Sequence, residues 1–327
     1  CGRLKSSAGS GKNRERQKKN LMTIAKITDI LNKKIPAERL IADADMKQYT
    51  SFKAGGRADL LVMPGSCDEL IYITDTLKSE GAPYMIMGNG SNILVKDGGY
   101  RGVIIRIDDG FSDIHVQDSS IIAGAGALMS SVARKALEAE LTGFEFASGI
   151  PGSIGGGVFM NAGAYGGEIA DVIEYAKVIE KASGSIKQIP APELELSYRH
   201  SALQLSGDIV LEVKLNLKRG SHSDIAEEMK TLTARRNEKQ PVQYPSAGSF
   251  FKRPEGYFAG KLIQDAGLKG LSVGGAKVSS KHSGFVINTG GATATDILSL
   301  MKLVQNTVYD KFGVMMEPEV RIIGEDA

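Results

Sequence analysis

The amino-acid sequence predicts an α+β protein built from two adjoining subdomains and a third, more helical one. The first observation is a strand–helix–strand–strand pattern in residues 21–107. The second is a series of short strand patterns in residues 108–218. The third is the return of helical patterns in residues 219–312. A closing strand pattern, EPEVRIIGE, lies in residues 313–327, which we assign to the first subdomain.

Apolar spacing supports each element of the first subdomain. LLVMP (60–64) is typical of a strand, and DELIYITDTLKSEG (68–81) has apolar residues at helical spacing and ends on Gly81. PYMIMG (83–88) and RGVIIRI (101–107) are apolar runs typical of buried strands. Glycine-rich loops follow these strands.

The later elements follow the same rules. In the second subdomain SSVARKALEAEL (130–141) is the one clear helix, and the strands are SIIAGAG, AKVIE and IVLEVKLNL. The predicted helices of the third subdomain are SDIAEEMKTLTARRNEK, GKLIQDAG and TATDILSLMKLVQNTVYDKF. Thr295 or Thr293 is the expected N-cap of the last helix, before Asp296.

Composition narrows the functional classes. The chain has 327 residues, is 42% hydrophobic and contains no run of 18 apolar residues, so we expect a globular protein without a transmembrane helix. Cys1 and Cys67 cannot form a disulfide framework or a zinc site, which fits a reducing cytoplasm. The four histidines show no metal-binding spacing, so no metal site is expected.

Positive charge is concentrated at the start of the sequence. Residues 1–20 carry seven Lys or Arg and one Glu, whereas the whole chain has a net charge of only +2. We expect a disordered or engineered basic tail, because a signal peptide would need an apolar segment. A basic tail can bind nucleic acid, but a solvated tail is the favoured interpretation. GSGKN (9–13) lacks the first glycine and the strand of a phosphate-binding P-loop, so we dismiss that motif.

Clustered glycines carry more information. GNGSNILVKDGG (88–99) follows a predicted strand, and its tight turn suits either a pyrophosphate-binding nest or an ordinary turn. GIPGSIGGGVFMNAGAYGGEI (149–169) has too many glycines for a plain loop, which favours a cofactor lying against the main chain. A dinucleotide fingerprint is a poor fit, because three candidate motifs have Ile93, Met129 and Met160 at the third glycine position.

Several motifs together resemble one known family. YTSFKAGGRADLLVMP, GNGSNILVKDGGYRG, GIPGSIGG with MNAGAYGGEI, SYRHS, the stretch YPSAGSFFKRPEG and EPEVRIIGE occur in the order found in the UDP-N-acetylenolpyruvoylglucosamine reductase family, flavoenzymes of bacterial peptidoglycan precursor synthesis. The resemblance runs from about residue 45 to 325 and fits the shorter type of the family. Ser148 and Ala247 stand where close relatives often have Cys.

The resemblance implies a vanillyl-alcohol-oxidase/PCMH-type FAD-binding fold. Residues 21–107 with 313–327, and residues 108–218, would be the two α+β subdomains that hold FAD, and residues 219–312 would form an α+β substrate-binding domain. NADPH would be the co-substrate. The implied cofactor-binding residues are Arg57, Gly88, Asn89, Gly90, Ser91, Asn92, Gly149, Ile150, Pro151, Gly152, Ser153, Gly155, Gly156, Asn161, Gly163, Ala164 and Tyr165.

The same resemblance implies reduction of the enolpyruvyl double bond of UDP-N-acetylglucosamine-enolpyruvate to UDP-N-acetylmuramate. Hydride would reach C3 from the flavin, and Ser249 would give a proton to C2, a role that needs no adjacent histidine. Arg199 and Glu319 would flank the enolpyruvyl carboxylate, with Glu319 protonated or sharing a proton. Without the resemblance, Arg199 is a surface arginine and Glu319 a solvated strand residue.

The remaining expectations concern substrate, partners and location. Candidates for the substrate diphosphate and sugar, or for the NADPH phosphates, are Tyr198, Arg236, Lys239, Lys252 and Lys261, and each of the lysines could equally be a solvated surface residue. His282 either approaches the flavin or is a plain loop histidine. We expect a cytoplasmic monomer that binds neither nucleic acid nor membrane. The alternatives are another FAD oxidoreductase on the same scaffold and a non-enzymatic nucleotide-binding module.

Overall fold

The structure, a computed structural model, describes residues 22–327. The predicted basic tail, residues 1–20, lies outside the described residues. We group the elements in three regions that follow one another along the chain. Residues 313–327 return to the first region.

The first region is a mixed sheet with helices on one face. Its elements are α1 (described over 22–31), β1 (Leu40–Asp45), β2 (Arg57–Val62), α2 (Cys67–Ser79), β3 (Tyr84–Met87), β4 (Ile93–Val95) and β5 (Tyr100–Arg106). The strand order is β1-β2-β5-β3, with β1 antiparallel to β2 and the other neighbours parallel. The helices and the sheet share one core, whereas Leu61 and Ile104 belong to a second core on the opposite face.

The second region is built on an antiparallel sheet. Its elements are β6 (Ile114–Gln117), β7 (Ser120–Gly124), α3 (Met129–Glu138), β8 (Leu141–Thr142), α4 (Ile154–Phe159), β9 (Gly163–Ala164), β10 (Gly167–Glu168), β11 (Ile173–Ile179), β12 (Ile186–Pro190), α5 (Leu203–Ser206), β13 (Ile209–Asn216) and β14 (Lys218–Arg219). The main sheet has the order β12-β11-β13-β7-β6. Its core is continuous with the helical core of the first region, so these two regions pack as one unit.

The third region contains three helices and a small antiparallel sheet, and the last two helices bury a separate core with that sheet. Its elements are α6 (His222–Lys239), β15 (Ser246–Ser249), α7 (Ala259–Asp265), β16 (Ser272–Val273), β17 (Ala276–Val278), β18 (Phe285–Asn288) and α8 (Ala294–Phe312). The sheet order is β15-β18-β17-β16. Thr293 is the N-cap of α8 and forms a capping box with Asp296, so of the two predicted caps Thr293 is confirmed and Thr295 is wrong.

The last strand and helix α6 each contact a region that is distant from them in sequence. The last strand, β19 (Arg321–Ile323), pairs in parallel with β4 and so joins the C-terminal segment to the first region. Helix α6 contacts α3 and β8, and Met229 on it packs against the core of the second region. The division of the chain at residues 107, 218 and 312 stays a prediction.

Side-chain to backbone hydrogen bonds fasten the third region to the first. Asn288 Nδ2 donates to the carbonyl oxygens of Phe52 and Lys53 at 3.1 and 3.2 Å, and Ser51 Oγ donates to the carbonyl of Ser246 at 2.7 Å. Phe52 itself is fully buried in the core of the third region. This junction fixes β15, and with it Ser249, against the glycine-rich turn of the first region.

Within residues 22–327 we find no helix with the length and apolar character needed to cross a membrane.

Asp97 forms a further tie, at the N-terminus of α8. Its carboxylate accepts hydrogen bonds from the N–H groups of Ala294 and Thr295 at 2.9 and 2.7 Å and from Thr295 Oγ1 at 2.7 Å. Partial burial acts to raise the pKa of Asp97, but these hydrogen bonds outweigh it and hold the pKa below its ordinary value. The ionised carboxylate also interacts favourably with the helix dipole.

We expect Asp97→Ala to lower the free energy of unfolding by about 1–2 kcal/mol at pH 7, because α8 loses a cap and a tie to the first region. A carboxyl with a lowered folded-state pKa stabilises fully above its unfolded-state pKa, and that stabilisation is lost as pH falls through the folded-state value. The difference should therefore shrink below about pH 4. Urea denaturation at several pH values measures it. Asp75→Ala, at an exposed position on α2, is the control, expected within about 0.5 kcal/mol; an equal effect of both changes would contradict the prediction.

Candidate active site

A cavity of about 530 Å³ opens between the third region and the turn at residues 197–200. Side chains from five separated stretches line it, and they are found within residues 198–199, 249–253, 258–264, 281–284 and at 319. The cavity therefore brings together Ser249, Arg199 and Glu319, the three residues that the resemblance implies are catalytic. Tyr198, Lys261 and His282 of the predicted set also line it.

Ser249 is the last residue of β15 and is paired with Phe285 of β18. Gly248 before it has a φ of +77°, a left-handed conformation that favours glycine. The two residues after it, Phe250 and Phe251, are buried in the core of the third region. The strand is thus fixed on both sides of Ser249, while the Ser249 side chain faces the cavity.

Arg199 and Glu319 form an ion pair beside Ser249's strand. Arg199 Nε lies 2.6 Å from Glu319 Oε1, and the two side chains are only 19% and 14% exposed. Arg199 sits in a tight turn in which Ser197 and His200 exchange backbone hydrogen bonds of 3.2 and 3.1 Å. Its guanidinium also stacks over the Tyr198 ring, with 5.0 Å between Cζ and the ring centre.

Glu319 is held by its main chain on two sides. Its N–H donates to the Phe250 carbonyl at 2.8 Å, next to Ser249. Its carbonyl accepts a hydrogen bond of 3.2 Å from Asn92 Nδ2, in the glycine-rich turn. One residue therefore links the strand of the candidate proton donor to the candidate cofactor turn.

The environment of Glu319 shifts its pKa. Burial raises the pKa of Glu319 above the ordinary value, and the opposing effects of Arg199 and, more weakly, of Lys252 do not cancel this. A carboxyl with a raised pKa in a cavity is a candidate functional group. The direction agrees with the expectation that Glu319 holds or shares a proton.

The turn at residues 88–92 offers backbone N–H groups that could form an anion nest. Within residues 22–327, no protein atom accepts a hydrogen bond from the N–H groups of 89–92. Gly90 has a φ of +65°, and a Cβ there would overlap the Tyr49 carbonyl oxygen. Consecutive free N–H groups in such a turn suit the oxygens of a phosphate.

The 149–167 loops lie directly against this turn. Asn89 Nδ2 donates to the Pro151 carbonyl at 2.9 Å, and a Cβ on Gly152 would lie 3.4 Å from Ser91 Oγ. A Cβ on Gly88 would overlap Ser153 Oγ. The two glycine-rich segments therefore form one continuous surface.

The other predicted cofactor residues differ in exposure and contacts. Asn161 is completely buried: its Nδ2 donates to the Ser197 carbonyl at 3.1 Å, and its Oδ1 accepts from Ala170 N–H at 3.0 Å. Arg57 directs its guanidinium to Asp43, with 2.7 Å between Nε and Oδ2. The remaining predicted positions of the 149–167 loops lie in α4, in β9 or in the bends beside them: Gly149, Ile150, Gly155, Gly156, Gly163, Ala164 and Tyr165. Their contact with a cofactor stays a prediction.

The predicted substrate-binding cations do not all line the cavity. Lys261 lines the cavity and also pairs with Asp265 at 2.8 Å. Lys252 pairs with Glu317 at 2.6 Å. Arg236 packs against Gly149, where a Cβ would lie 3.0 Å from its Cδ, and burial lowers its pKa. Lys239 ends α6. Arg236 therefore adjoins the cofactor loops, and the substrate roles stay predictions.

Comparison with known proteins identifies the family. Residues 240–323 match the family model of the UDP-N-acetylenolpyruvoylglucosamine reductase C-terminal domain, and residues 58–189 match that of an FAD binding domain. The chain is 50% identical over 299 residues to the UDP-N-acetylenolpyruvoylglucosamine reductase of Caldanaerobacter subterraneus subsp. tengcongensis, covering 91% of this chain and 98% of that protein. It is 52% identical over 289 residues to the reductase of Clostridium perfringens, covering 88% and 94%.

The chain belongs to the UDP-N-acetylenolpyruvoylglucosamine reductase family. The crystal structure of the Thermus caldophilus reductase agrees with it at a TM-score of 0.74 and 35% identity, covering 87% of this chain and 98% of that one. The predicted family and the predicted FAD-binding fold class are confirmed, and the chain is an oxidoreductase of this family.

The residues present fit FAD. The free N–H groups of 89–92 and the backbone surface of the 149–167 loops, where a Cβ at Gly88 or Gly90 would collide with protein atoms, form a cradle suited to a dinucleotide. Residues 22–327 contain no group of three His, Cys, Asp or Glu side chains arranged to hold a metal ion.

Sequence reasoning missed several side chains that line the cavity. Arg253 stacks on the Phe258 ring at 4.7 Å, and its N–H donates to the Tyr198 hydroxyl at 3.1 Å. Lys281 reaches the Asn237 carbonyl near the end of α6. Arg253 and Lys281 are next in sequence to two predicted residues, Lys252 and His282. The sequence signal was the group of cations in KRP and SKH, which did not indicate which of these side chains would line a cavity. Burial lowers the pKa of His282, whose Nδ1 accepts from the Gly284 N–H.

We expect Gly90→Ala to weaken FAD binding at least about tenfold, because a Cβ would push the nest away from Tyr49. Gly81→Ala is the matched control: Gly81 also has a positive φ, of +61°, but a Cβ there would meet no atom within 4 Å. Backbone strain should cost both variants about 1–3 kcal/mol of stability, and Gly90→Ala adds the overlap with the Tyr49 carbonyl. Quenching of FAD fluorescence on titration of the apoprotein measures the affinity. Equal FAD affinity in the two variants would exclude the nest.

Proposed function

We propose that the protein reduces the enolpyruvyl double bond of UDP-N-acetylglucosamine-enolpyruvate, with NADPH as the electron donor. The observation that carries this proposal is the presence of Ser249 and the Arg199–Glu319 pair in one cavity. The names of the relatives supply the substrate, and the FAD-domain match supplies the cofactor.

Bound FAD would supply two-electron chemistry, with NADPH as the hydride source and C3 of the enolpyruvyl group as the hydride acceptor. The protein must then stabilise negative charge at C2 and in the adjoining carboxylate, and deliver a proton to C2. These tasks fall to residues of the cavity.

Ser249 is suited to protonate C2. A serine hydroxyl is too weak an acid to protonate water, but a carbanion or enolate is a strong enough base to take its proton. No histidine is needed for this direction of transfer. The alkoxide left behind is stabilised by the positive charges that share the cavity, which include Arg199, Lys261 and Lys281.

Arg199 and Glu319 are suited to bind the enolpyruvyl carboxylate. A guanidinium has five N–H donors, and the contact with Glu319 uses the one on Nε, so donors remain for a substrate carboxylate. Glu319 next to a substrate anion would repel it if ionised. The raised pKa of Glu319 supports a neutral, proton-sharing carboxyl in the complex.

The rest of the cavity is suited to a sugar nucleotide. Its volume of about 530 Å³ is within the range of small-molecule sites. Arg253, Lys261 and Lys281 line it and offer charge for a diphosphate, and the exposed ring of Phe258 offers an apolar face. The predicted monomeric state, the cytoplasmic location and the absence of nucleic-acid and membrane partners stay predictions.

We expect Ser249→Ala to keep FAD and to be reduced by NADPH at the normal rate, but to be reoxidised by UDP-N-acetylglucosamine-enolpyruvate about 10²- to 10⁴-fold more slowly. Anaerobic visible spectra after each addition follow the two half-reactions separately. Ser246→Ala, in the same strand, is the control and should be reoxidised normally. Rapid reoxidation of Ser249→Ala would remove Ser249 from the mechanism. Failure of the unmodified protein to be reoxidised would indicate another FAD oxidoreductase, and failure to bind FAD a non-enzymatic module.

We expect the pH profile of the substrate half-reaction to contain a limb from Glu319, displaced above the ordinary Glu range because its pKa is raised by burial. This limb should disappear in Glu319→Gln, whose rate should be low and independent of pH over that range. Glu255→Gln, at an exposed position near the cavity, is the control and should keep the limb. An unchanged limb in Glu319→Gln would assign the titration to another group.

A further inference from the structure

Phe159, the last residue of α4, contacts the two chain segments that carry Arg199 and Glu319. Its carbonyl accepts hydrogen bonds from Ser201 Oγ at 2.8 Å and from Gln204 Nε2 at 2.9 Å, both just after the turn that carries Arg199. Its ring lies under the Arg321 guanidinium, with 4.9 Å between Cζ and the ring centre. Arg321 is the first residue of β19 and lies two residues beyond Glu319.

The Arg199 turn needs such support. Arg199 has a φ of +55°, a left-handed conformation that costs of order 1 kcal/mol or more for a side chain of this kind. Gln204 Nε2 donates to the Arg199 carbonyl at 3.0 Å, and Asn161 Nδ2 donates to the Ser197 carbonyl at 3.1 Å. These bonds hold the peptide groups on both sides of the turn.

Gln204 links α4 to the turn that carries Arg199. The two N–H bonds of its amide serve two carbonyls, those of Phe159 and Arg199. A shift of Gln204 would therefore remove the tie between the Arg199 carbonyl and α4, whereas Ser201 would keep its own bond to Phe159. Gln204 lies near neither the glycine-rich turn at 88–92 nor Ser249 in sequence, and it does not line the cavity.

We propose that Gln204 and Phe159 are positioning residues that set the guanidinium of Arg199 against the carboxyl of Glu319. The inference rests on the proposed function, because the pair it concerns is the one assigned to the enolpyruvyl carboxylate. It predicts that the amide of Gln204 affects the substrate half-reaction while leaving flavin reduction unchanged. A merely structural glutamine would change stability alone.

Gln204→Met tests this, because methionine fills a similar volume and removes both hydrogen bonds. Gln305→Met is the matched control: Gln305 Nε2 also donates to one backbone carbonyl, that of Met316 at 2.7 Å, in the third region and away from the Arg199 turn. Phe159→Leu is a second variant, which keeps the carbonyl and removes the ring beneath Arg321. Melting temperature, FAD retention, both half-reaction rates and the ionisation of Glu319 are measured for each.

In Gln204→Met we expect substrate-dependent reoxidation to slow by about tenfold to 100-fold, with reduction by NADPH and FAD retention unchanged. The charged groups acting on Glu319 are Arg199 and Lys252, and both favour its ionised form. Displacing Arg199 should therefore move the Glu319 titration to higher pH, and with it the corresponding limb of the rate profile. Phe159→Leu should also move the Glu319 titration and the corresponding limb of the rate profile to higher pH. Gln305→Met should lose stability only.

The inference is overturned if Gln204→Met keeps the normal rate and Glu319 titration while losing stability as Gln305→Met does. It is also overturned if the lost activity follows lost FAD. The Glu319 titration can be read by NMR of ¹³C-carboxyl-labelled glutamate, with Glu319→Gln providing the assignment, so it needs no turnover. If the unmodified protein does not use the enolpyruvyl sugar, the proposed function fails, and the titration shift still decides whether Gln204 positions Arg199.

Discussion

The ion pair between Arg199 and Glu319 is the constraint on which the geometry of the site depends. It joins residues 120 positions apart, one in a strained turn of the second region and one in the C-terminal segment that returns to the first. Glu319 is in turn bonded through its main chain to Phe250 and to Asn92. The Arg199–Glu319 pair, the strand of Ser249 and the glycine-rich turn at 88–92 are therefore positioned relative to one another by a single residue.

A pair buried to this degree is not explained by stability alone. Removing two charges from water costs free energy that their attraction often only balances, and hydrophobic residues of the same volume could replace them. The proposed function gives the pair a binding role instead. In that proposal Arg199 keeps free donors for a substrate carboxylate, and the raised pKa of Glu319 helps it to become neutral when the carboxylate binds. A permanently ionised glutamate would instead compete with the substrate for the arginine.

Elements with strong periodicity or a single buried face were predictable from the sequence. Helix α8 and strands β3 and β5 lie within one or two residues of their predicted limits, because apolar spacing alone defines them. The predicted helix at 130–141 ends earlier, at Glu138, because Leu141 pairs with Arg219 in β8 and β14. β15, with the sequence SAGS, carries no strand signal; its extended form comes from pairing with β18, about 40 residues away.

The glycine-rich cradle was predictable because glycine is required wherever backbone approaches backbone, and that requirement is visible in the sequence. The supports of Arg199 and Glu319 were not, because they are side chains that donate to carbonyl groups: Asn92 to Glu319, Asn161 to Ser197, Gln204 to Arg199 and Ser51 to Ser246. Every residue offers a carbonyl, so such a contact leaves no complementary residue type to search for. Positioning residues of this kind become recognisable only when the fold brings donor and carbonyl together.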